Sequence, residues 1–129
     1  MSECILDSST LLALLNSEKG REVVEKILPY SVMSTVNLAE VVGELHNKLG
    51  LEIEKCEKIV ITLVNRIVDF DVKQSIKCAE LKKLTSKYGL SLGDRACLAL
   101  AIKLQLPIYT ADKVWAQLRL DGVEIKLIR

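Results

Sequence analysis

The sequence predicts an α/β fold, with a mainly parallel sheet of short strands flanked by helices on both faces. Three observations predict it. Short apolar runs, "ECILD", "YSVMS", "IVDF", "LPIYT" and "VEIKLI", alternate with stretches of helical periodicity. Each run is mostly apolar throughout, as strands covered on both sides of a parallel sheet must be. Gly 6 and Pro 2 leave little material for long loops.

The elements follow in order. Glu3 to Asp7 reads as the first strand, followed at once by the helical "SSTLLALLN". A second helix, "SEKGREVVEKIL", is expected to start with Ser17 as its cap and to stop near Pro29. After the strand "YSVMS", Thr35 opens a longer helix over "VNLAEVVGELHNKLG", closed by Gly50. "EIEKCEKIVITLVNR" is a helix, "IVDF" a short strand, and "VKQSIKCAELKKLTSKYG" a helix ending at Gly89. "SLGDRACLALAIKLQ" is helical, "LPIYT" a strand and "DKVWAQLRL" a short helix. "VEIKLI" forms a last strand after a turn at Asp121 and Gly122. At 129 residues the chain suits one domain, residues 1–129, whose core needs neither disulfides nor a structural metal.

A formal charge of +1 does not advertise a nucleic-acid or membrane binder, so an anionic substrate would need a local arrangement to hold it. No apolar run approaches membrane-spanning length, and "MSECILDSSTLLALL" lacks the basic region of a secretory signal. The four cysteines (Cys4, Cys56, Cys78 and Cys97) are too widely spaced for a zinc site, and are expected to be reduced, small hydrophobes in a cytoplasmic protein. His46 is the one histidine and lies on the flank of a helix.

Carboxylates carry the functional signal. In parallel α/β sheets ligands bind beyond the carboxyl ends of the strands. Asp7 ends the first strand, Asp112 follows "PIYTA", Glu40 is in the second turn after "YSVMS", and Asp94 opens its helix. All four can share one edge. Each also has a structural explanation: Asp7 and Asp112 as helix caps, Asp94 in a capping box with Ser91, Glu40 and Glu44 as solvated residues opposite the stripe of Leu38, Val41, Val42, Leu45 and Leu49. Convergence weighs against so simple an account. Two carboxylates about 5 Å apart repel by roughly 3 kcal/mol at an effective dielectric of about 20. Arg95 and Lys113 adjoin two of the acids, but a divalent cation neutralises the group better. Oxygen-only ligands select Mg²⁺ or Mn²⁺, and the matching chemistry is phosphodiester hydrolysis. The chain has no glycine-rich phosphate loop and no G-x-S-x-G elbow.

"ILDSSTLLALL", "STVNLAEVVGEL", "LSLGDRACLALAIKLQLPIYTADKVW" and "VEIKLIR" together resemble PIN-domain ribonucleases, most closely VapC-type toxins of toxin–antitoxin pairs. The resemblance implies a Mg²⁺- or Mn²⁺-dependent endoribonuclease on a Rossmann-like sheet of about five strands. Asp7, Glu40, Asp94 and Asp112 would be the catalytic, metal-holding acids, with Ser9 and Thr110 as hydrogen-bonding residues behind them. It also implies an RNA substrate, a cognate antitoxin and a homodimer. Trp115 is expected to pack rather than stack on a base, and Lys73, Lys77, Lys82, Lys83 and Lys87 to form a solvated helix face. The other readings are a PIN nuclease of RNA processing, a non-catalytic scaffold, and a signalling receiver domain, for which Asp69 or Asp71 would be the phosphoacceptor.

Overall fold

The computed structural model describes residues 2–129. A five-stranded sheet runs in the order β3-β2-β1-β4-β5, formed by β1 (Cys4–Leu6), β2 (Ser31–Ser34), β3 (Arg66–Val68), β4 (Ile108–Thr110) and β5 (Ile125–Leu127). Every neighbouring pair is parallel, as the uniformly apolar strands predict. Among the described residues six α-helices cover it: α1 (Ser8–Leu15), α2 (Arg21–Ile27), α3 (Thr35–Leu49), α4 (Ile53–Leu63), α5 (Val72–Thr85) and α6 (Leu92–Leu104).

The period-2 geometry of the strands divides the core into two layers. Ile5, Val32 and Ile108 face one side, where they pack with Cys78 and Leu81 of α5, Cys97, Leu98 and Leu100 of α6, and Trp115. Cys4, Leu6 and Met33 face the other, against Leu11 of α1, Ile27 of α2, Val41 and Leu45 of α3, and Cys56 and Val60 of α4. The helices therefore flank both faces. No described helix is long and apolar enough to cross a membrane.

Gly50 adopts a left-handed conformation and closes α3 as expected. Other details differ from expectation. The second helix begins at Arg21, not at Ser17, because Gly20 takes φ 96° directly beneath the C-terminal strand. A Cβ there would lie 2.6 Å from the Ile128 carbonyl oxygen, so a long-range contact sets this start. Pro29 falls in a 3-10 turn (Leu28–Tyr30) that extends α2. Arg66, expected at the end of α4, pairs with Val32 as the first residue of β3 and holds Glu3 through two guanidinium nitrogens. "DKVWAQLRL" contains a 3-10 turn (Lys113–Gln117) and no α-turn. Leu49, expected on the buried stripe of α3, is the last residue of the helix and is exposed.

Candidate functional site

The chain leaves β1 toward β2 on one side and β4 lies on the other, so the strand order reverses between β1 and β4. Helix N-termini meet at the carboxyl edge of this crevice, the place where parallel sheets bind ligands. Asp7 follows β1 directly and Asp112 lies two residues beyond β4. Glu40 comes from the second turn of α3 and Asp94 from the first turn of α6.

Three of the acids cap helical turns, and they do so without leaving the edge. Asp7 Oδ1 accepts the Thr10 amide at 2.9 Å. Asp94 and Ser91 form a full capping box, in which Asp94 Oδ2 accepts the Ser91 amide. Asp112 Oδ1 accepts the Val114 amide at 3.0 Å. Capping uses one oxygen of Asp94 and one of Asp112; among the described residues the second oxygen of each has no protein partner. Structural and chemical roles are compatible in one carboxylate, because each oxygen offers its own lone pairs.

Asp7 is different. It is 3% exposed, and its oxygens are held by Thr110 Oγ1 at 2.5 Å and by Ser9 Oγ at 2.8 and 2.9 Å. Ser9 also accepts the Ala111 amide, and Thr110 accepts that of Asp112. The two hydroxyls thus tie the end of β1 to the end of β4. Burial pushes the Asp7 pKa up, and the hydrogen bonds from Thr110, Ser9 and Thr10 only partly oppose this.

The acids sense one another. Burial raises the Asp94 pKa, and the negative charges of Glu40 and Asp112 raise it further against the Ser91 hydrogen bonds. The Cys97 thiol, fully buried beneath them, is raised by burial and then by Asp7, Asp94 and Glu40. Three segments distant in sequence thus project charge onto one point. No described lysine or arginine forms an ion pair with any of the four acids. Arg95 turns away to donate to the Cys78 carbonyl. As the side chains lie, no three described Asp, Glu, His or Cys groups are close enough to cage an ion, and mutual repulsion opposes closer approach. The donor set fits a hard divalent cation on three counts: it is all oxygen, it lacks a counter-cation, and Asp94 and Asp112 each keep an oxygen free of protein bonds.

Two contributors were not anticipated from sequence. Ser8 Oγ donates to Glu40 Oε1 at 2.5 Å, and Asn37 Nδ2 donates to the same oxygen at 2.8 Å and to the Gly93 carbonyl at 3.1 Å. The spacing of Asn37 and Glu40, three residues apart on a helix, was the available clue. Gly93 makes room for this arrangement, since a Cβ there would overlap the Glu40 carboxylate. Gly93→Ala should therefore lower thermal stability by about 1–2 kcal/mol through lost Glu40 contacts. In a Glu40→Ala background the same change should be neutral or stabilising, because alanine favours the helix by up to about 1 kcal/mol over glycine. A penalty that persisted in that background would show that Glu40 is not its cause.

Other expected features are placed as follows. His46 is exposed, with Nδ1 2.6 Å from the Leu51 carbonyl oxygen, remote from any zinc-like set among the described residues. All four cysteines are free and buried, and burial pushes the Cys4 thiol up to about 11. Lys73, Lys82, Lys83 and Lys87 are exposed, and Lys77 pairs with Glu80. Asp71 caps α5 and pairs with Lys103 at 2.5 Å.

A sequence model described as the PIN domain matches residues 4–120. A search of curated proteins returns no match. Among solved structures, the chain is similar to a DNA-bound VapBC of Salmonella typhimurium (TM-score 0.73, 18% identity, 100% of each chain covered). It is also similar to a toxin–antitoxin complex from Klebsiella pneumoniae (0.72, 20%, 94% of this chain and 95% of that chain). A third is Mycobacterium tuberculosis VapC20, a sarcin–ricin-loop-cleaving toxin (0.74, 18%, 95% and 99%). At these identities the likeness is one of fold.

Proposed function

Because the chain belongs to the PIN-domain family, we propose that it is a Mg²⁺- or Mn²⁺-dependent endoribonuclease, the toxin of a toxin–antitoxin pair. The observation that carries the reading is the shared edge of Asp7, Glu40, Asp94 and Asp112, where three of the acids raise the Cys97 thiol together and no described cation answers them. The toxin role is supported by the similar solved structures, which are described as VapBC or toxin–antitoxin complexes and a loop-cleaving toxin.

Glu40, Asp94 and Asp112 would hold the metal through their available oxygens. Asp7 would join them through one lone pair, which would become available if the single Ser9 proton, shared between its two oxygens, settled on the other. A divalent ion held there would supply an activated water and would neutralise charge at the scissile phosphate. The chain's own part is to fix the acids. Hydrogen bonds from Ser9 and Thr110 offset part of the cost of burying the Asp7 carboxylate, and the capping bonds restrict the rotamers of Asp94 and Asp112. Before neutralisation the acids repel an RNA backbone, so the edge selects for substrate only with cation present. The cognate antitoxin and a second copy of the chain are the expected protein partners, in the cytoplasm. Exposed Leu49, Ile53 and Ile61 on α3 and α4 support a further contact surface.

The direct test is cleavage of total RNA by purified protein with EDTA, MgCl₂ or MnCl₂, beside Asp94→Asn. Cleavage should require the metal and fall about 10²–10³-fold in the variant. Equal cleavage by both proteins, or cleavage undiminished in EDTA, rejects the mechanism. Growth arrest on expression, relieved by the product of the neighbouring gene, separates the toxin role from RNA processing.

A further inference from the structure

Asn37 sits in the first turn of α3 and is 1% exposed. Its Nδ2 group makes two bonds that run in different directions: 2.8 Å to Glu40 Oε1 on its own helix, and 3.1 Å to the Gly93 carbonyl in the first turn of α6. Gly93 immediately precedes Asp94. One amide group therefore spans the two elements that carry neighbouring acids of the edge, and α3 and α6 have no other side-chain hydrogen bond between them among the described residues. Its Oδ1 atom is buried with no partner among the described residues. A buried amide with an unpaired acceptor costs stability that an apolar side chain of similar size would not. Packing alone does not account for asparagine here.

The bonds are arranged to leave Glu40 with one defined free oxygen. Ser8 and Asn37 both donate to Oε1, the two donors that oxygen can accept. Oε2 has no protein partner among the described residues. An exposed glutamate normally samples several rotamers, each within about 1 kcal/mol of the others. Here two donors restrict it, and the second tether of Asn37 sets where α6 stands relative to it.

We propose that Asn37 is a positioning residue that fixes Glu40 against the first turn of α6 and so sets the spacing between Glu40 and Asp94. The inference rests on the reading of these acids as metal ligands. Removal of the amide leaves Glu40 held by Ser8 alone and removes its tether to α6, so the metal loses a preorganised ligand, while the ligand itself remains.

The test is Mn²⁺ binding by titration calorimetry on full-length wild type and Asn37→Ala, with folding followed by circular dichroism. Kd should rise about 10-fold, the lower end of the range for residues that orient metal ligands, at unchanged stoichiometry. A purely structural role would instead lower the fraction of competent protein and leave Kd unchanged. If Asn37→Ala does not fold, Asn37→Ser replaces it, since a serine hydroxyl is too short to reach both Glu40 and Gly93. Unchanged Kd in a folded variant overturns the positioning role while the nuclease reading stands. Wild type that binds no Mn²⁺ overturns both.

Discussion

Asp7→Asn should stabilise the metal-free protein by about 1 kcal/mol, the usual scale of a trade-off between stability and activity, and should lower RNA cleavage about 10³-fold. Asp7 is buried, and burial is the main cause of its raised pKa. The native state therefore binds its proton more tightly than the unfolded chain, whose aspartates ionise near pH 4. Below that pH both states are protonated and the difference vanishes. As pH rises through the unfolded value toward the raised native one, the unfolded state ionises first and stability falls. Asp94 is shifted in the same direction and adds to the slope. Metal-free wild type should thus unfold at a higher temperature as neutral buffer is acidified toward pH 4. Asparagine keeps the acceptor for the Thr10 amide, and its amide can donate to the Thr110 or Ser9 oxygen once those hydroxyls rotate. The charge is lost and the shape kept. Thermal melts of wild type and Asp7→Asn across that pH range, without metal, provide the check. A variant less stable than wild type at neutral pH would mean that the hydrogen bonds outweigh the burial of the charge.

The same residue shows what the sequence could and could not convey. In the sequence, cap and catalytic acid read as alternatives for Asp7, Asp94 and Asp112; in the structure all three cap helical turns at the edge where the acids meet. Helix N-termini at the carboxyl ends of parallel strands make this economical: the local dipole favours a carboxylate there whatever else it does. The fold itself was legible because parallel strands buried on both faces carry a strong apolar signal and Gly50 stops a helix by its own conformational preference. What was not legible depended on contacts between distant segments. The start of α2 is set by Ile128 against Gly20. Arg66 leaves its expected helix for a strand that Val32 pairs. Ser8 and Asn37 gain their roles only once α1, α3 and α6 meet. Periodicity reports which face a residue occupies; it does not report what arrives at that face.

Trp115 offers the sharpest separation of fold from function, because it lies three residues beyond Asp112 yet is wholly buried in the layer with Ile5, Val32 and Leu98. Trp115→Ala should cost about 3–5 kcal/mol, the range for emptying a large aromatic site. Trp115→Phe should cost much less than that. Its Nε1 atom is buried and has no partner among the described residues, so the native state already carries a penalty of about 1–3 kcal/mol that phenylalanine removes. That gain offsets much of the transfer and cavity loss from a smaller ring. Chemical denaturation gives the stability difference, and cleavage per folded molecule should stay within about twofold for Trp115→Phe, since a buried ring cannot reach a base without unfolding the layer it fills. A folded Trp115→Phe protein whose KM for RNA rises tenfold, with kcat unchanged, would instead place the indole against substrate. That result would require this end of the sheet to open on binding, which the burial of Trp115 in the core layer it shares with residues of β1 and α6 opposes.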